Sequence, residues 1–145
     1  MTTTPPTNLR PTITRILRDF FDAQFETMPP VRRDRAIEIE YRLRQFLEAE
    51  GEHRLVTFDL VLLRTEQQIS PTGAFSRLMH ADDLAVVLGG FVAENWLPRD
   101  PVDRRLQVRL TGLLLKHLIA RALIDPHEMA CFVLETQARI NAARR

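Results

Sequence analysis

The sequence predicts a mostly α-helical domain that carries one small β-ribbon. Three observations lead there. Apolar residues recur at three- and four-residue spacing through most of the 145 residues. Cap and turn signals, among them Met28-Pro29-Pro30, Gly51, Ser70-Pro71-Thr72-Gly73 and Asp125-Pro126, cut that pattern into helix-length pieces. One stretch, LPRDPVDRRLQVRLTGL at 97–113, exchanges the helical period for alternation.

Composition narrows the class. The length suits one domain with a real core. A hydrophobic share of 45% excludes a disordered chain, and a net charge of +1 offers no global polycation. Cys131, the single cysteine, forbids an internal disulfide and fits a reducing cytoplasm. Residues 1–10 lack an apolar core for a secretion signal and are expected to form a frayed tail. The most apolar stretch, 110–124, is broken by Lys116, His117 and Arg121, so no membrane span is expected.

In chain order, Ile13, Ile16, Leu17, Phe20, Phe21 and Phe25 mark one face of a helix over 11–27. A second helix, 31–50, carries Ala36, Ile39, Leu43, Phe46 and Leu47, with Glu38–Arg42 and Glu40–Arg44 as i,i+4 pairs. Residues 54–70 suit a strand or a helix by composition. Thr57 as N-cap and Asp59 in the first turn favour a helix over 58–68. A short helix at 74–79 follows, then one over 82–95 with Leu84, Leu88 and Phe91 inward. Two short strands meet at a DPVDR turn, the second alternating Leu106, Val108 and Leu110 with Gln107 and Arg109. Thr111 caps a helix to residue 124. Asp125, Pro126 and Glu128 form a capping signature for the last helix, whose inward side is Met129, Phe132, Val133, Ala138 and Ile140.

Helix, helix, helix, ribbon is the order of a winged helix-turn-helix. Arg99, Asp103-Arg104-Arg105, the strand to Leu110, and Leu110-Thr111-Gly112 together resemble the wing of the MarR family of bacterial transcription regulators. The resemblance implies a cytoplasmic homodimer on double-stranded DNA. It implies N-terminal dimerisation helices at 11–55, a winged helix at 56–110 and C-terminal dimerisation helices at 111–145. It also implies a small aromatic or anionic ligand, no cofactor and no enzymatic activity.

The residues themselves give the wing a mechanism. A ribbon tip can press arginines against the DNA backbone, and Asp103 would hold one of Arg104 and Arg105 while the other reaches phosphate. The expected DNA contacts are Arg77, Asp82, Val86, Arg99, Asp103, Arg104 and Arg105. The expected dimer contacts are Phe20, Phe21, Phe25, Leu114, Leu118 and Phe132, because the terminal helices carry more apolar side chains than a small domain is expected to cover.

The candidate recognition helix departs from the family. Its outer face, Asp82, Val86, Gly89, Gly90 and Ala93, carries no side-chain donor for a base edge. The alternative function is therefore a degenerate winged helix that binds a protein partner through the Gly89-Gly90 face. His53, His80, His117 and His127 lack the spacing of a metal site, and no catalytic motif stands out.

Overall fold

The computed structural model describes residues 10–145, and every regular element among them is helical. The order is α1 (Ile13–Glu26), α2 (Pro30–Glu50), a 3-10 turn (Gly51–Arg54), α3 (Thr57–Ile69), α4 (Ala74–Leu78) and α5 (Ala81–Val87). A second 3-10 turn (Leu88–Val92), α6 (Pro101–Ala120) and α7 (Ala130–Ala143) complete it. The expected tail, apart from Arg10, lies outside the described residues.

The first two helices form as their periodicity dictates. Thr12 caps α1, its hydroxyl accepting from the Arg15 N–H at 3.4 Å, and Ile13 to Phe21 turn into the core. Pro30 stands at the first position of α2, where its missing N–H costs nothing. The five predicted inward residues of α2 are all buried. Arg44 pairs with Glu40 at 3.4 Å, but Arg42 leaves Glu38 and donates to the Trp96 carbonyl at 3.2 and 3.3 Å.

The ribbon is not formed, and with it the winged helix-turn-helix falls. Among the described residues there is no strand, only an isolated bridge between Thr12 and His80. Residues 101–120 are one continuous helix. Its cause is in the sequence. The Asp100 carboxylate accepts from the N–H groups of Val102 at 2.8 Å and Asp103 at 3.2 Å, Pro101 opens the first turn, and Asp103 adds negative charge there. The alternation of Leu106, Val108 and Leu110 is incidental to a helical face that also buries Gln107, Thr111, Leu114, Leu115 and Leu118. Thr111 caps nothing; its hydroxyl donates to the Gln107 carbonyl at 2.8 Å inside the helix.

The candidate recognition helix also differs. It ends at Val87 and tightens into a 3-10 turn through the two glycines. Asp125 accepts the His127 N–H at 2.8 Å in a turn, and α7 starts only at Ala130, with Val133, Thr136 and Ile140 inward while Ala138 faces solvent.

One main core joins residues from all three segments expected to be separate modules. Phe20 and Phe21 of α1, Phe46 of α2, Phe91 and Leu114 belong to it. Gln107, wholly buried, ties α6 to the loop before it by donating from Nε2 to the carbonyls of Phe91 at 2.9 Å and Trp96 at 3.0 Å.

Candidate functional site

The residues expected to touch DNA do not gather on one surface. Arg77, on α4, donates to the Ser70 carbonyl at 2.7 Å, to the Thr72 carbonyl and to Glu66 at 3.0 Å, so it locks the end of α3 to α4. Asp82 is exposed in the first turn of α5, and Val86 is half-buried. Arg99 is exposed in the loop before α6.

Asp103 holds neither of its neighbours. It accepts from Arg35 of α2 at 2.6 Å, with Asp100 at 3.8 Å from the same guanidinium. Arg104 makes a two-pronged pair with Glu94, with one arm at 3.1 Å, and the contact holds that carboxyl below its ordinary range. The Asp100 carboxyl is held down chiefly by the two backbone N–H groups it caps.

The Gly89-Gly90 face is not free. A Cβ on Gly89 would stand 3.1 Å from the Thr136 hydroxyl and 3.3 Å from Arg139 Cδ. A Cβ on Gly90 would meet the Phe46 ring at 3.0 Å. The glycines let the chain's own α7 and α2 approach closely, and what stays open there is a cleft of about 200 Å³ between them, lined by Gly89, Gly90, Val86 and Arg139. The dimer contacts are likewise used within one chain. Phe20, Phe21, Leu114 and Leu118 are buried in the core, while Phe25 and Phe132 are half-buried.

A cationic face does form, along α6 and the end of α7. Arg105 and Arg109 stand four residues apart on the exposed side of α6, with Lys116 further along it. Arg144 and Arg145 close the far end of α7 beside them. The two helices meet at Gly112, where a Cβ would stand in ordinary contact, 3.8 Å from Ile140 Cδ1 and 3.9 Å from Arg144 Nη2. Between the helices runs a groove of about 410 Å³, lined by Arg104, Arg105, Arg109, Arg144 and Arg145 over Val108 and Ala143.

Charge along this face is segregated. From Arg104 to Ala120, and from Thr136 to Arg145, the sequence has no Asp or Glu. Among the described residues, Arg105, Arg109, Lys116, Arg144 and Arg145 have no carboxylate within 4 Å. Arg18, Arg32, Arg54, Arg99 and Arg121 have none either, and Arg104 in the groove pairs with Glu94, so it is the gathering of the five that sets the face apart. Five unpaired cations on a chain of net charge +1 make a local field suited to a polyanion. Of the residues expected from the wing, only Arg105 belongs to this set. The signal for the rest was the run of α6 and α7 free of acidic residues.

Among the described residues no three His, Cys, Asp or Glu side chains gather in a way that would hold a metal. No helix among them is long and apolar enough to cross a membrane. The fold and this face define an all-helical domain with one cationic edge. No family model, curated protein or solved structure matches the chain.

Proposed function

We propose that this chain binds double-stranded DNA through the phosphate backbone, using the α6–α7 face. The observation that carries the reading is the set of five cations with no carboxylate within 4 Å, gathered along α6 and the end of α7. Guanidinium groups match phosphate oxygens in a bidentate fork. From Arg105 to Lys116 the helix rises about 16 Å, and duplex DNA offers a charge about every 1.7 Å. The groove lining holds no aromatic ring to stack a base and no amide to read a base edge. Binding of this kind is insensitive to sequence. The residues that resembled a regulator's wing lie in helix α6, so the cationic face alone carries this reading.

Fluorescence anisotropy with a mixed-sequence duplex tests it. Four phosphate contacts give a slope of about −3 to −4 in log affinity against log salt. Arg105→Ala and Arg109→Ala should each flatten that slope by about one. An absence of binding at low salt, or slopes unchanged in both variants, refutes the reading.

A further inference from the structure

Helix α3 is turned outward. Its one fully buried side chain is Leu63. On the opposite side Phe58, Leu62, Thr65 and Ile69 follow one another at spacings of four, three and four residues, with Val61 beside them. Phe58 is 72% exposed and Ile69 78%. An amphipathic helix in a monomer turns such a stripe toward the core. Here Leu63 and two ion pairs attach the helix by its other side, Arg64 to Glu52 at 2.9 Å and Glu66 to Arg77 at 3.0 Å.

We propose that the outer face of α3 docks against the same face of a second copy of this chain, the two helices running antiparallel about a two-fold axis. The spacing is that of a coiled-coil seam, with Phe58 and Thr65 in one type of core position and Leu62 and Ile69 in the other. An antiparallel pair brings unlike positions together. Phe58 then meets Ile69 of the second copy, and Leu62 meets its Thr65, so the large side chains fill both ends and the smaller threonine sits at the centre. The same patch serves both copies, as a two-fold interface requires.

The area is modest. The stripe exposes roughly 450 Å² of apolar surface, within the range of a monomer's largest functional patch. Two such stripes together bury about 900 Å², the size of a small, weak interface rather than a standard one of about 1,600 Å² in total. On one flank Asp59 comes near Glu66 of the second copy, and Arg77 already offsets that glutamate within each chain.

Sedimentation equilibrium on the intact chain at high micromolar concentration should give twice the single-chain mass. Phe58→Glu should return it to one chain. The side chain is mostly outside the core, so the circular dichroism spectrum should stay unchanged. Cross-linking checks the direction of pairing in a Cys131→Ser background. Phe58→Cys mixed with Ile69→Cys should form mixed disulfides, and Phe58→Cys alone should form none. A single-chain mass for the wild type overturns the proposal. So does a dimer that survives Phe58→Glu, or a disulfide between two copies of Phe58→Cys. DNA affinity measured on the Phe58→Glu variant keeps this outcome distinct from that of the cationic face.

Discussion

Gly51→Ala sets two physical effects against each other. Gly51 has φ −62° and ψ −39°, a helical conformation that alanine adopts without strain. Propensity alone would make alanine better by about 1 kcal/mol. Packing opposes it. The new Cβ would stand 2.5 Å from Cε2 and 2.6 Å from Cε1 of Phe75. Carbon atoms rest at about 3.5 to 4.0 Å, so the overlap is about 1 Å. The Phe75 ring is 1% exposed and cannot swing into solvent. Overpacking of this kind costs about 1 to 3 kcal/mol and occasionally more. With an overlap this large on a ring that cannot yield, the upper half of that range applies, about 2 to 3 kcal/mol, and the expected net is a destabilisation of about 1 to 2 kcal/mol, read from urea unfolding at an unchanged m-value. Gly112→Ala is the control, since its Cβ would have 3.8 Å of clearance in the middle of α6 and should stabilise by up to about 1 kcal/mol. In the Phe75→Leu background the penalty at Gly51 should shrink by about 1 kcal/mol, a coupling that identifies the ring as its cause. A Gly51→Ala protein as stable as the wild type would refute the packing argument.

Two further perturbations test the interior. Burial, with the nearby Arg121 charge, holds the His117 imidazole below its ordinary 6.5, and Asp19 opposes this only in part. Its stabilising contribution is therefore full above 6.5 and is lost as pH falls toward the depressed folded value, because the unfolded state takes up the proton first. An imidazole titration followed by NMR should have its midpoint below 6.5, and one at or above that value contradicts the burial. At Gln107, leucine should cost only about 1 kcal/mol. The Trp96 carbonyl keeps Arg42, and the orphaned Gln107 Oε1 leaves with the amide, so only the Phe91 carbonyl loses its donor. Glutamate at the same place buries a charge against two carbonyls and should cost about 3 kcal/mol or more in thermal or urea unfolding. Equal costs for the two variants would show that the amide's donors are not what that site requires.

The helices legible in the sequence are those whose apolar stripe is long. In α1 and α2 the inward residues stand where a 3.6-residue period puts them, and ten of them are buried. Residues 101–120 were misread because five residues cannot separate the two periods: Leu106, Val108 and Leu110 satisfy alternation, and Leu106, Leu110 and Leu114 satisfy a helix. The deciding residue was Gln107, which alternation places outside and the structure places wholly inside. The local cap signal at Asp100-Pro101 was as strong as that at Asp125-Pro126. Of the two, only the first opens a helix directly, since the second is followed by a turn before α7.

Partnership is harder to read from sequence than periodicity, and the candidate site turns on partnership. Arg104 and Arg105 are adjacent and chemically identical, yet α6 rotates one toward Glu94 and the other into open solvent. Asp103 beside them is claimed by Arg35, which lies far back in the chain on α2. No local rule assigns those partners, because each depends on which helix the core brings alongside. The same logic explains Gly89 and Gly90. A residue pair without side chains means close approach, and sequence cannot say of what. Here the element that approaches is α7, the helix whose end also carries Arg144 and Arg145. A side chain at Gly89 would push on Thr136 and Arg139, about one and a half to two and a half turns from those arginines along the same helix. The bare Gly89-Gly90 face is thus part of what seats α7, and the seating of α7 sets how closely Arg144 approaches Gly112 on α6.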